Sequence, residues 1–244
     1  MSTFDIGSVD LTDIVSDLIA RSKITNSKSR SMKNLIDPYA AALESILNNL
    51  AHKDWLLTES MRTAQKNLLN HIGDAQQRMI GALDGWTSYA SGSGMPDVVG
   101  IRGSQKIIAE VKNKHNTMND KGQKATYDEL AKFLKLPKFK GFTAIVVTMI
   151  APKSHQTIKP FAPGKLRVRR DDILIASGRV FYAIATDHLQ RTPTVQLAET
   201  YDLTKWSSWS ALDSMIEEFW TELERQSGKK IPKWVKDLVE QAYG

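Results

Sequence analysis

The sequence predicts an α/β protein built on a mixed central β-sheet flanked by helices, with helical N- and C-terminal parts. Three observations carry that reading. Val98 to Ile101 and Lys106 to Asn113 are short and rich in β-branched and apolar residues, and Arg102-Gly103-Ser104-Gln105 between them is a turn, so the pair reads as a hairpin. Phe142 to Ile150 is an almost continuous apolar run, the expected signature of a buried central strand. A helical pattern from Ala125 to Leu134 lies between them, which makes strand, strand, helix, strand the order of the core.

The elements follow in order. Leu11, Ile14, Val15, Leu18 and Ile19 recur at helical spacing, with Asp10 or Thr12 as the cap. The polar, basic stretch from Ser22 to Lys33 breaks that pattern and reads as a solvated loop, with a DNA-contacting arm as the alternative. A second helical pattern starts at Pro38 and runs through Tyr39, Leu43, Ile46 and Leu50. A third begins near Thr58 and carries Met61, Leu68, Leu69, Ile72 and Met79 along one face, with a break expected near Gly73. Trp86 to Gly94 is a glycine and serine connector that delivers the chain into Pro96-Asp97. Lys153 to Arg170 is too proline-rich for a regular helix and reads as a loop or edge strand. Helical patterns over Val180 to Leu189, Leu212 to Leu223 and Lys233 to Tyr243 close the chain. Trp206, Trp209, Trp220 and Trp234 cluster there, and such aromatics more often build a core or subunit interface than stack on bases. No repeat is evident, so residues 1–244 are expected to form one domain. It divides into a mainly helical region (1–85), a catalytic core (86–150) and a basic loop with helices (151–244).

Bulk properties narrow the function classes. A chain of 244 residues can bury a proper core, and an apolar fraction of 41% argues against disorder. The net charge of +6 and sequence pI near 9.3 favour polyanionic partners. With no cysteine, disulfides and thiolate zinc sites are excluded. No apolar run is long enough to span a bilayer, and Met1 to Asp10 lacks the basic-then-apolar order of a signal peptide. A cytoplasmic protein without a membrane partner is expected.

The chemistry concentrates at Pro96-Asp97 and at Glu110-Val111-Lys112. An acidic-x-Lys triplet trailing Pro-Asp at such a distance arises by chance in roughly one chain in ten of this length, so the strand context has to carry the inference. Side chains alternate along a strand, which puts Glu110 and Lys112 on one face and Ile107, Ala109 and Val111 on the other. In the simplest hairpin register Asp97 then lies across from Glu110. Mg²⁺ is a hard ion held by one or two carboxylates, with water and phosphate oxygens completing the octahedron. Asp97, Glu110 and the backbone carbonyl of Val111 are the expected ligands, and Lys112 is expected to orient the attacking water and stabilise developing negative charge. That chemistry is phosphodiester hydrolysis.

Basic and polar residues around this centre are the candidates for gripping DNA. Lys114, His115 and Asn116 follow the triplet directly and suit phosphates or base edges, a solvated turn being the plain alternative. In the basic stretch, Lys153, Lys159, Lys165, Arg167 and Arg169 suit backbone grip, and Arg can also pair bidentately with guanine.

Pro96-Asp97 with Glu110-Val111-Lys112 resembles the PD-(D/E)XK nuclease signature. The run Glu110 to Thr117, with Asp84-Gly85-Trp86 upstream and Tyr127-Asp128 downstream, is similar to the type II restriction endonucleases that cut GGNCC-type sites. The likeness runs from about Ile72 through Ile150. It implies a restriction-endonuclease-like core acting on double-stranded DNA as a homodimer, one active site per subunit, and 5′-phosphate ends. It also implies Mg²⁺ dependence, with Mn²⁺ substituting and Ca²⁺ supporting binding without cleavage, and a cognate DNA methyltransferase in the same system. Nucleases with this core commonly add an acidic residue from a preceding helix, for which Asp74 and Asp84 are candidates, with Gln76 or Gln77 as water-orienting alternatives. The competing readings are a structure-selective or repair nuclease on the same core, resembling a junction resolvase, and a DNA-binding protein that does not cut.

Overall fold

The computed structural model of the chain describes residues 8–28, 37–114, 118–151, 158–164, 169–186 and 209–243. Within them one six-stranded mixed sheet has the order β1-β2-β3-β4-β6-β5. Its strands are β1 (Trp86–Ser88), β2 (Val98–Arg102), β3 (Gln105–Lys114), β4 (Thr143–Ile150), β5 (Ile158–Pro160) and β6 (Ile173–Ser177). The helices are α1 (Ser8–Lys28), α2 (Pro38–Leu47), α3 (His52–Gly81), α4 (Asp120–Phe133), α5 (Gly178–Thr186), α6 (Trp209–Ser227) and α7 (Lys233–Tyr243).

The expected hairpin is present and tighter than the sequence suggests. Arg102 pairs with Gln105, so only Gly103 and Ser104 form the turn, and Gly103 takes φ 58°, a conformation glycine adopts without penalty. β3 then pairs parallel with β4, and β4 parallel with β6. Parallel neighbours need a long crossover, and α4 supplies the first one. Its N-cap Asn119 accepts a hydrogen bond from the Gly122 N–H, and its inner face buries Tyr127, Leu130 and Phe133.

Strand alternation divides the interior into two cores. On one face Ile107, Ala109, Val111, Ile145, Val147 and Leu174 pack beneath α1, α3, α5 and α6. On the other, Val99, Ile108, Ala144, Val146 and Ile173 meet α4 and the aromatic group Phe139, Phe142 and Phe161. The C-terminus of α5 is tied to the hairpin: Gln105 Nε2 donates to the Ile184 carbonyl at 3.1 Å, and Trp86 Nε1 to that of Ala185 at 3.3 Å. These carbonyls belong to the last turn of a helix, where no intrahelical donor exists.

Several boundaries depart from expectation for physical reasons. α1 continues through the polar stretch to Lys28, since Ser, Lys and Arg are acceptable on a solvated helix face and Ser22 Oγ donates back to the Leu18 carbonyl at 2.7 Å. α3 passes Gly73 without a break, because one interior glycine costs only about 1 kcal/mol in a 30-residue helix. Trp86 to Ser88, read as part of a connector, is edge strand β1. β6 had no counterpart in the sequence reading. Of the basic stretch, Ile158–Pro160 is the edge strand β5, where proline is tolerated.

Two glycines give opposite predictions. A Cβ at Gly178 would lie 2.6 Å from the Met149 carbonyl oxygen and 3.0 Å from its Cα, both backbone of central strand β4, whereas one at Gly73 would meet nothing within 4 Å. Gly178→Ala is expected to destabilise the protein by about 2 kcal/mol, and Gly73→Ala to stabilise it by about 0.5–1 kcal/mol, each read from the midpoint of urea unfolding.

Candidate active site

Val98 faces Ala109 in the hairpin, so one step back along the chain brings Asp97 level with Glu110, as the simplest register requires. The backbone next to Glu110 holds it there: the Val111 N–H donates to Asp97 Oδ2 at 2.8 Å. Lys112 Nζ donates to Glu110 Oε2 at 3.1 Å and lies 3.9 Å from Asp97 Oδ2. Asp97, Glu110 and Lys112 therefore converge at the start of β2 and the middle of β3, with Val111 supplying backbone between them.

Alternation fixes which way they face. Glu110 pairs with Val146 and Lys112 with Thr148, so both project on the α4 side of the sheet while Val111 enters the opposite core. The Glu110 side chain is only 9% exposed, against 17% for Asp97 and 28% for Lys112. Burial pushes the Glu110 carboxyl up to about 7, the Asp97 charge adds to the rise, and Lys112 partly offsets it. Glu129 on α4 acts in the same upward direction as Asp97.

The donor set can be tested against a metal. Among the described residues no group of three or more His, Cys, Asp or Glu side chains could hold an ion, so the side-chain donors here are two carboxylates. Two hard oxygen donors facing each other, one strained by burial and like charge, fit a divalent ion that keeps water and phosphate oxygens in its remaining positions.

The other candidates are distributed unevenly. Lys114 ends β3 on the same strand face as Lys112 and is exposed. Lys159 is exposed on β5 opposite Ile175, on the sheet face that carries Glu110, but three strands from β3. Arg169 is exposed, while its neighbour Arg170 is bound bidentately by Asp172 at 2.7 and 2.6 Å. His115, Asn116, Lys153, Lys165 and Arg167 lie outside the described residues.

Neither N-terminal acid reaches the triad. Asp74 pairs with Arg21 of α1 at 3.0 Å, and Asp84 stands 3.6 Å from Arg102, at the opposite end of the hairpin from Asp97. Gln76 lines an apolar groove between α1, α3 and α6. Glu129 was missed by sequence reasoning. The signal available was its position one residue before Leu130, on a helix that has to cover the face bearing Glu110.

Sheet order and the convergence of Asp97, Glu110 and Lys112 define the class, a restriction-endonuclease-like α/β core. The sequence matches the Eco47II restriction endonuclease family over residues 5–195. It is similar to the type II restriction enzyme Eco47II of Escherichia coli, 29% identical over 236 residues, which cover 93% of this chain and 92% of that one. It is also similar to the type II restriction enzyme Sau96I of Staphylococcus aureus, 30% identical over 162 residues, covering 63% of this chain and 60% of the relative's length. The chain belongs to the Eco47II restriction endonuclease family.

The raised Glu110 carboxyl gives a pH prediction for the metal-free protein. Between the ordinary value of 4.5 and about 7 the folded state holds a proton that the unfolded state has released, so stability falls as pH rises through that window. In EDTA the loss is expected to be on the order of 3 kcal/mol and to flatten above pH 7. Glu110→Gln should abolish the slope in denaturant melts; an unchanged slope assigns it to other groups.

Proposed function

We propose that this protein is a type II site-specific deoxyribonuclease that hydrolyses both strands of duplex DNA at a short palindrome of the GGNCC type. The whole chain acts as one endonuclease domain, works as a homodimer in the cytoplasm of a prokaryote, and is accompanied there by a cognate DNA methyltransferase. No helix among the described residues is long and apolar enough to cross a membrane. The observation that carries the reading is the meeting of Asp97, Glu110 and Lys112 at the hairpin, with Lys112 Nζ 3.1 Å from Glu110 and 3.9 Å from Asp97. Family membership supports it independently.

Asp97, Glu110 and the Val111 carbonyl are the groups that hold Mg²⁺ in this reading. When bound, the ion lowers the pKa of its water and neutralises charge on the phosphate. The chain's own residues do the rest. The Val111 N–H orients Asp97 by binding one of its oxygens. Lys112 carries the positive charge that faces both carboxylates and is placed to turn toward a water or a non-bridging phosphate oxygen. Hydrolysis adds water across the P–O3′ bond, leaving a 3′-hydroxyl and a 5′-phosphate. Lys114 beside the site, with Lys159 and Arg169 farther along, supports backbone grip. His115, Asn116, Lys153, Lys165 and Arg167 are proposed to join them from sequence alone.

The test is incubation of the purified protein with unmethylated phage DNA. Discrete fragments with 5′-phosphate ends are expected in Mg²⁺ or Mn²⁺, and intact DNA in EDTA. Asp97→Ala and Glu110→Ala should abolish cutting, and Lys112→Ala should slow it by at least about 100-fold, while binding to the same DNA in Ca²⁺ survives. Cutting confined to branched DNA would favour a structure-selective nuclease, and binding without cutting a non-cleaving DNA-binding protein.

A further inference from the structure

Between Glu129 and Asp171 the sequence has no acidic residue, while basic ones recur throughout. The first four of them, Lys132, Lys135, Lys138 and Lys140, are distinct from the residues assigned above to DNA. Lys132 stands in the last turn of α4, and the other three follow on the segment that leads through a 3₁₀ turn at Pro137–Phe139 toward β4. All four are exposed. Among the described residues none of them pairs with a carboxylate, whereas Arg21, Arg62, Arg78, Arg225 and Lys230 are each paired within the chain.

Packing holds this segment in one place. Leu136, Phe139 and Phe142 turn inward between and after the lysines and join the core on the α4 side of the sheet, the Phe139 ring meeting Phe133 at 6.0 Å and Phe142 at 5.3 Å. That is the face that carries Glu110 and Lys112. Lys138 is tied closest to the site: its Nζ donates to Met95 Sδ at 2.9 Å and lies 5.0 Å from the centre of the Phe139 ring. Met95 is two residues ahead of Asp97, a reach of at most about 7 Å along the backbone. An ammonium is thus held beside the loop that enters the acidic pair, and a thioether, a weak acceptor without charge, does not neutralise it.

The helix dipole accounts for part of this cluster only. A cation in the last turn of a helix is favoured by the macrodipole, which suits Lys132, but the effect fades within that turn and does not extend to Lys138 and Lys140. Four like charges within nine residues repel one another, and a polyanion laid against them removes that repulsion. We propose that Lys138, with Lys132, Lys135 and Lys140 around it, grips the phosphates of duplex DNA that flank the scissile one, on the side from which Met95 leads into the site. A duplex rises about 3.4 Å per nucleotide on each strand, so a lysine set beyond Met95 from Asp97 meets neighbouring phosphates rather than the one being cut. Contacts of this kind fix the register and orientation of the duplex and read no sequence, the role for which exposed point charges are suited. The inference rests on the endonuclease reading only for the identity of the polyanion.

The salt dependence of binding tests it, measured for the full chain by fluorescence anisotropy in Ca²⁺ on two labelled duplexes, one containing GGNCC and one lacking it. Each phosphate contact contributes about 0.9 to the slope of log affinity against log salt. Lys138→Gln is expected to make the slope shallower by about 0.9, and Gln at all four positions by about 3–4, equally on both duplexes, while Lys138→Arg keeps the wild-type slope. Lys66→Gln, at an exposed position of α3 on the opposite side of the sheet, should leave the slope unchanged. Slopes that do not move in the Lys138→Gln and fourfold variants, a loss confined to the GGNCC duplex, an equal loss in Lys66→Gln, or no binding to either duplex would overturn the proposal. All the substituted side chains are exposed, so the far-ultraviolet spectrum and cooperative melt should persist in every variant. DNA cutting is scored separately: a protein that shows the shallower slopes and cuts nothing retains the phosphate grip and removes the endonuclease reading, and cutting with unchanged slopes does the reverse.

Discussion

Alternation along β3, a strand covered on both faces, is the constraint on which the rest of this structure depends. Ile107, Ala109 and Val111 fill one core, Ile108 enters the other, and Glu110 has to stand on the α4 side among groups that exclude water. A shift of one residue would exchange the two sets and put a carboxylate into the larger core. Register is therefore held at several points: the two-residue turn at Gly103 and Ser104, the parallel ladder to β4 from Ile107 to Lys114, and the Gln105 side chain bound to the end of α5. The same alternation that buries Glu110 brings Lys112 beside it and leaves Lys114 at the exposed end of the strand.

What could be read from the sequence was local. The hairpin, its register, the opposed faces of β3 and the buried character of β4 follow from period-two patterning and one turn, and all are present. The β6 strand could not be found that way. Its five residues run straight into α5 without a turn signal, and its partners β4 and β5 are brought to it only by the crossovers. The ends of α1 and the continuity of α3 escaped for a different reason: Ser22 and Gly73 are weak helix breakers, and packing over a long element outweighs about 1 kcal/mol of local preference. The triad could be named from residue type and spacing. Its electrostatics could not, because the burial of Glu110 is set by α4, whose placement no local pattern fixes.

Topology also decides which acids can assist the site. α1 and α3 lie on the face of the sheet opposite to Glu110, where Asp74 is paired with Arg21, and Asp17 with Arg21 and Arg78. An acidic group on those helices would have to reach around the edge strand to meet Asp97. α4 lies on the same side as Glu110, and Glu129 already acts on that carboxyl through space. Among the described residues, the negative charge that acts on Glu110 besides Asp97 is Glu129, on the helix that follows the triplet in the chain.

A protein of net charge +6 that concentrates two carboxylates at one point has to reconcile opposite demands. On the endonuclease reading the substrate is a polyanion, and bare carboxylates would repel its phosphates. Lys112 addresses this in the protein alone, because at 3.1 Å from Glu110 and 3.9 Å from Asp97 it screens both groups, and Glu110 relieves the remainder by holding a proton up to about pH 7. The relief is incomplete, since burial is the largest cause of the rise and Lys112 only partly offsets it. On the same reading Asp97 and Glu110 would hold a divalent cation whose charge offsets burial and like charge at the carboxylate, and Lys112 would be left to face a phosphate. The destabilised acidic pair and the exposed Lys114 at the end of the same strand are thus two parts of one electrostatic arrangement. The register of β3 sets the distance between them.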